Sequence, residues 1–526
     1  MDAEESLSGG GTGIAAAAHE LIGQLTKESW GYLSPSVYET GRLVALAPWL
    51  TGHERRMEFL AATQRADGAW GTPEEYALVS TLSATDALLG AGDGRFRDVA
   101  AKGLAVLFRR LAGGPRLSMP DTPAIEIIVP ALIASINHHL ERGDAGYGAR
   151  LPVPDGTDGP RLAKIRSAVG AGAAVPTKLL HSLEVAGDAA RAAATVQPGP
   201  RGTVGASPAA TAAWLGGPPG DRATGGAVDY LEAIVARHGG PVPSVVPVTQ
   251  FERAWVLNTL ARAGVEVAVP AELLTGMAEH LDERGTPGGA GLPPDADTTS
   301  AVLLALARWG DDRGLEALSA YETDTHFVTW HGERTASTSA NAHVLDALGE
   351  QVIRTPSLKE RYARAIEKVT LWLAGQQSTV GAWVDKWHAS PYYATACCAV
   401  SLHRYGTGPH AAAAVARARE WVVGTQRADG SWGRWEGTPE ETAYALQILL
   451  LTAGGADSAA PWAAARGYSY LRATFGRQPH PPLWHDKDLY VPVAIIRAEI
   501  LAALHLASRK PAVWTLVERL ESAQQA

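Results

Sequence analysis

The octapeptide QRADGAWG at 64–71 returns almost unchanged as QRADGSWG at 426–433. A third copy, QSTVGAW, starts at Gln377, with Val380 where the other two have Asp67 and Asp429. In each copy a helix end meets a glycine turn and a tryptophan follows. The Gln amide has neighbouring backbone to bond, and the indole has the next helix to pack on. Such a unit reads as a structural clasp. Two near-identical clasps far apart imply two related helical domains.

The chain around the clasps has helical periodicity. In TTSAVLLALARWG (298–310), Val302, Leu306 and Trp309 fall on one face with Leu303 beside them, and Gly310 is placed to end the helix. YALVSTLSATDALLGAG, FERAWVLNTLARAG, SANAHVLDALGE, TAYALQILLLTAGG and RAEILAALHLA repeat the pattern, and most stop at glycine. Extended β-branched runs are scarce. The expected fold is all-α, with many antiparallel helices joined by Gly/Pro loops. Segments 197–208, 216–226 and 285–294 are the Pro/Gly-rich seams.

At 526 residues the chain has room for two or three domains, and 46% hydrophobic against 19% charged residues allows large cores. A net charge of -9 without a long basic run argues against nucleic acid as a partner. No apolar run approaches the length of a bilayer span. The first thirteen residues lack the basic and apolar regions of a leader. The two cysteines, Cys397 and Cys398, are adjacent, a poor geometry for a structural disulfide, so a reducing, cytoplasmic setting is expected. Tryptophan is unusually common, 16 against 6 phenylalanines. Indole fills cores, and it is also the best side-chain face for a cation.

PPDADTTSAVLLALARWG (293–310) sets Asp295 and Asp297 one residue apart just before a good helix. Asp297 or Thr298 can N-cap a helix beginning near Ser300. A Ca²⁺ loop is disfavoured because the later alternating positions lack oxygen ligands. A proton-donating acid is the third reading. An ordinary aspartate, pKa about 3.9, is ionised at neutral pH. A nearby carboxylate and a dry pocket raise that value, while a helix N-terminus lowers it. Asp297 can therefore donate a proton only with Asp295 close by and water scarce.

DADTT resembles the D-x-D-D-T motif of class II terpene cyclases, and the clasps resemble that superfamily's QW motifs. The likeness runs along most of the chain: SPSVYETGRLVAL (34–46), IEIIVPALI (125–133), VPTKLLHSLE (175–184) and GASPAATAAWL (205–215) follow in family order. So do VPVTQFERAWVLNTL, STSANAHVLDAL, WVDKWHASPYYATA and LWHDKDLYVPVAIIRAEILAAL. The resemblance implies two α/α-barrel domains, the βγ didomain. Residues 1–45 and 271–526 would form the β-like barrel, and 46–270 an inserted γ-like domain. It also implies protonation of the terminal alkene of a linear prenyl diphosphate, then carbocation cyclisation with the diphosphate retained. Asp297 would be the acid and Asp295 its neighbour, with Thr298 replacing the family's third acid. Asn341 would orient the acid. His181 would belong to the terminating base, although the expected Asn partner is Ser244 here. D-x-D-T-T variants resemble bacterial drimenyl diphosphate synthases, so farnesyl diphosphate to drimenyl diphosphate is the expected conversion. The alternative is geranylgeranyl diphosphate to a copalyl- or halimadienyl-type product.

The same resemblance assigns cations to the diphosphate: Lys178, Lys386, Lys487 and Arg497. Mg²⁺ is the expected cofactor, on Glu126 and Glu184. Trp255, Trp330, Trp383, Trp387, Tyr392 and Tyr393 are the aromatic candidates for holding the carbocation. The ionising D-D-x-x-D motif of class I synthases has only Asp311-Asp312 to represent it, with no second motif, so loss of diphosphate is not expected. Three rivals stand beside this reading. A glycan-processing barrel would use two carboxylates. A zinc prenyltransferase-like barrel would use Cys397 or Cys398 with His388 or His403. A non-catalytic helical scaffold would use none of these residues.

Overall fold

A computed structural model of the chain describes residues 11–112, 119–142, 149–218, 224–452 and 459–525. Six helices close into a ring by packing each on the next: Thr249–Ala263, Ala296–Arg308, Thr338–Arg354, Pro391–Tyr405, Pro439–Leu451 and Val493–Ser508, the last returning to the first. A second layer wraps them. Gly11–Lys27, Lys359–Gln376, Gly408–Gly424, Ala459–Thr474 and Pro511–Gln525 lie on the outside. This is an α/α barrel. The ring helices are apolar nearly all round because neighbours enclose them on every side; Ala296 through Ala307 are all buried. Where Thr338–Arg354 crosses Pro391–Tyr405, a Cβ on Gly349 would sit 2.2 Å from the Tyr405 ring, so only glycine permits the approach.

A smaller ring is built from Val37–Leu46, Ala77–Ala91, Ile125–Glu141, the 3₁₀ segment Leu183–Ala192 and Pro208–Leu215. His53–Ala62, Arg97–Leu111, Gly159–Gly170 and Ala227–His238 cover it. The hydrophobic cores divide the chain. One joins residues 14–33 and Ala206 to the stretch from Val245 onward, five lie within 38–246, and a small one sets Ala389, Leu483 and Leu489 against Tyr76 and Trp435. The junction expected at 45/46 falls inside the helix Val37–Leu46, and the one expected at 270/271 lies in a loop after Thr249–Ala263. Val37–Leu46 belongs to the small ring, and Thr249–Ala263 belongs to the large one.

All three repeats are clasps of identical design. Gln64, Gln377 and Gln426 each donate through Nε2 to two carbonyls: Gly68 and Val99, Gly381 and Ala414, Gly430 and Ala463. The following indoles, Trp70, Trp383 and Trp432, donate Nε1–H to Leu60, Leu373 and Val422 carbonyls at 2.6–2.8 Å. Each clasp ties the end of an outer helix to the next pair.

A hairpin joins the rings. Its two short antiparallel strands, Trp484–His485 and Leu489–Tyr490, belong to the large domain. The turn between them reaches into the small one. There Asp488 accepts from Ser36 Oγ at 2.6 Å and from the Tyr38 amide at 2.9 Å. The functional groups gather along this seam.

Candidate active site

Asp295 itself is the N-cap, and the helix starts at Ala296, earlier than expected. Its Oδ1 accepts from the Thr298 amide at 2.6 Å and its Oδ2 from Thr298 Oγ1 at 3.0 Å. The residue replacing the family's third acid thus holds the first. Burial pushes the Asp295 carboxyl up to about 7, and the neighbouring Asp297 charge adds to the rise.

Asp297 lies within the first turn, 8% exposed. His343 Nδ1–H donates to its Oδ1 at 2.6 Å. Burial disfavours an imidazolium here, but the Asp297 carboxylate outweighs it and holds His343 well above the ordinary histidine value. Asn341, expected at this place, is elsewhere: it donates to the Phe327 and Ser337 carbonyls and accepts from the Phe327 amide. At about 100° per residue, positions 341 and 343 point roughly 200° apart, so one helix turns only one of them to the acid. A cavity of about 30 Å³ backs His343, lined in part by Asn258, Arg262, Asp346 and Glu499. Polar groups share its lining with apolar ones, and it is large enough for an ordered water.

An aromatic wall starts at the acid. Trp255 meets His343 edge-on, with centroids 5.0 Å apart, and donates Nε1–H to Tyr393 Oη at 3.1 Å. Phe251 lies 4.5 Å from Trp255 and 5.6 Å from Trp484, and Tyr393 is 4.7 Å from Trp484. Trp255 and Tyr393 were expected; Phe251 and Trp484 were not. Trp383 and Tyr392 do not join the wall. The first is the indole of a clasp, and the second packs on Trp421 of the outer layer at 4.6 Å.

Cations collect at a second place on the seam. Lys178 lies over Trp330 at 5.0 Å, and Lys386 lies over Trp330 and Trp387 at 5.7 and 5.3 Å. Lys386 also donates to Glu333 Oε2 at 2.5 Å and to the Thr335 carbonyl at 2.7 Å. Partial burial, then the like charge of Lys386, holds Lys178 below the usual lysine value. Glu126 pairs with Arg161 at 3.2 Å and with Arg334 at 3.7 Å. Asp121, missed in the sequence, pairs with the same Arg334 and with Thr335.

The remaining candidates are committed to structure. Lys487 is fully buried and donates to Glu39 Oε1 at 2.9 Å, Glu184 Oε1 at 3.0 Å and Ser207 Oγ at 2.8 Å. Glu184 also accepts from Tyr38 Oη at 2.8 Å, so neither Lys487 nor Glu184 fits its expected role at a phosphate or a metal. Arg497 pairs with Glu20 at 2.6 Å on the outer layer. His181 Nδ1–H donates to the Gly205 carbonyl at 2.6 Å, and its Nε2 meets Asp486 Oδ1 at 2.9 Å. Ser244 lies beside that same Asp486. Burial opposes the imidazolium, but Asp486 holds His181 above its usual value. Both nitrogens are engaged, which leaves no lone pair for an incoming proton. Cys397 and Cys398 are free, and among the described residues no cluster of three or more His, Cys, Asp or Glu is arranged to hold a metal, so the zinc reading finds no ligand set. Asp311 pairs with Arg313 and Asp312 accepts from Gln351, which gives the Asp pair a structural use. Among the described residues no helix is long and apolar enough to cross a membrane.

Residues 334–491 match the family model of the squalene-hopene cyclase C-terminal domain. Over 94% of this chain and 96% of the relative, 46% of residues are identical to an ent-copalyl diphosphate synthase of Streptomyces sp. (strain KO-3988). A labda-7,13-dienyl diphosphate synthase of Streptomyces clavuligerus is 39% identical over 94% of this chain and 93% of its own length. Among solved structures, ent-copalyl diphosphate synthase from Streptomyces platensis superimposes with a TM-score of 0.88 at 43% identity, covering 94% of this chain and 99% of that one. The chain belongs to the class II terpene cyclases, and it is an enzyme. These relatives carry the names of copalyl- and labdadienyl-type diphosphate synthases.

Proposed function

We propose that this cyclase converts geranylgeranyl diphosphate to a bicyclic, copalyl-type diphosphate. Copalyl diphosphate, named in its relatives, is a C20 compound, and that supports the longer substrate over farnesyl diphosphate. The observation that carries the mechanism is the buried Asp297–His343 pair at the start of an aromatic wall.

In the reacting form Asp297 is the carboxylic acid beside a neutral His343, and it donates its proton to the terminal alkene. His343 Nδ1–H, already on Oδ1, favours the carboxylate that remains, so its contribution is larger after transfer than before. Asp295 keeps a second carboxyl close by, with Thr298 fixing its direction. Trp255, Phe251, Tyr393 and Trp484 offer fixed faces to the cation and exclude the water that would quench it. Lys178 and Lys386, stacked on Trp330, take the diphosphate. Magnesium, the expected cofactor, would neutralise diphosphate charge; Glu126 and Asp121, which share Arg334 beside those lysines, suit the one or two carboxylates it usually takes. Nothing in this set ionises the substrate, and the diphosphate leaves with the product.

The test is incubation with geranylgeranyl diphosphate or farnesyl diphosphate and Mg²⁺, read by mass spectrometry with and without phosphatase. A bicyclic C20 alcohol seen only after phosphatase is expected. A C15 product alone would overturn the substrate assignment, and no cyclic product from either would overturn the function.

A further inference from the structure

Glu440 is a buried carboxyl that the mechanism above does not use. It is wholly enclosed behind the aromatic wall, in the first turn of Pro439–Leu451. Three donors converge on its Oε1: Trp484 Nε1–H at 2.7 Å, His388 Nε2 at 3.1 Å and Tyr444 Oη at 3.1 Å. The histidine tautomer follows from geometry. The Ser390 amide donates to His388 Nδ1 at 3.0 Å, so Nδ1 carries the lone pair and Nε2 the proton that Glu440 accepts.

All three donors are neutral. Burial holds His388 at about 3, far below an imidazolium at working pH. Among the described residues no lysine or arginine pairs with Glu440. Three donors from separate elements aimed at one oxygen are the surroundings of a carboxylate, not of a carboxylic acid. The other oxygen, Oε2, has no hydrogen-bond partner among the described residues. Burial pushes the group up to about 7 against the pull of Trp484, Tyr444 and the nearby His480, so the anion is favoured on the alkaline side of that value. An uncompensated buried anion is costly and is seldom kept for stability alone.

The rings that touch it belong to the wall or pack on it. Trp484 is both its donor and a member of the wall, and His388 stacks on Tyr393 at 4.8 Å. We propose that Glu440 is an electrostatic positioning residue, a fixed counter-charge that draws the migrating carbocation along the Tyr393–Trp484 wall away from Asp297. It acts through the rings, without touching substrate. Glu441 next to it does none of this: it is taken up by Ser390, Thr438 and the Arg434 amide in the turn.

The proposal rests on the cyclase reaction proposed above, and the test separates the two. The probes are a bicyclic diphosphate with a protonated amine at the last cationic ring carbon, and its neutral carbon isostere. Affinities are measured by calorimetry at pH 8 for wild type and Glu440→Gln, which keeps an acceptor for the three donors and loses the charge. The ammonium is expected to bind the variant at least tenfold more weakly, about 1.4 kcal/mol, with the isostere unchanged. Equal ammonium affinity in the two proteins, or an equal loss for both probes, overturns the proposal. Should Glu440→Gln not fold, Tyr444→Phe takes its place, since stripping one donor weakens the anion; an unchanged ammonium-to-isostere ratio overturns the proposal there as well. Failure of wild type to bind even the isostere overturns the cyclase reading itself, and the counter-charge falls with it.

Discussion

At the scale of single residues, the account turns on which groups touch Asp297. His343→Ala removes a donor aimed at developing negative charge, so kcat should fall about a hundredfold or more, with KM little changed. Asn341→Ala has a different signature. It strips buried partners from the Phe327 and Ser337 backbones and should cost about 1–3 kcal/mol in denaturant unfolding. Lys386→Ala should raise KM roughly tenfold with a smaller effect on kcat, because the diphosphate is held equally before and during the reaction. Asp295 and Asp297 stand out in the sequence because two acids lie one residue apart before a helix and the motif resembles D-x-D-D-T. His343 does not, because a sequence does not say which of two positions on one turn faces the acid. Lys487 and Glu184 misled for a related reason. H-D-K-D reads as an anion-binding run, yet the fold buries it against Glu39, Glu184 and Ser207, so charge is spent inside the protein.

At the scale of elements, the clasps are independent of the chemistry, while the ring helices carry it: Asp297, His343, Trp255 and Tyr393 all stand on them. Trp383→Phe leaves the Leu373 carbonyl unsatisfied and should destabilise by about 1–3 kcal/mol in chemical denaturation, with an unchanged product spectrum. An altered product would return Trp383 to the cation cage. Helical periodicity and glycine stops made the elements legible, and the repeats gave the clasps. The domain junctions were not legible, because Thr249–Ala263 carries the same amphipathic signal whichever core receives it. Trp383 and Tyr392 show the same limit: composition counts aromatics, and packing decides which of them reach the cavity.

At the scale of the whole molecule, buried ionisable groups set how stability varies with pH. Glu252, Asp295, Glu440 and Glu441 are each pushed up to about 7, chiefly by burial. The native state therefore holds protons that the unfolded chain releases near pH 4, and stability falls as pH rises toward and through 7. His181 and His343, held above their usual value, lose their contribution in the same direction. His388, His485 and His238, held at about 3 to 4, act oppositely, since the unfolded chain takes up their protons below about 6.5. Above about pH 6.5 only the falling contributions remain, so the melting temperature should decline from about pH 6.5 to 8; a rise over that range would contradict these assignments. The central claim is protonation by Asp297, and its most direct measurement is turnover of geranylgeranyl diphosphate in ²H₂O. The account predicts a bicyclic product that retains its diphosphate and carries one deuterium, formed by wild type and not by Asp297→Asn. A product without deuterium, or one formed at the same rate by the variant, would contradict it.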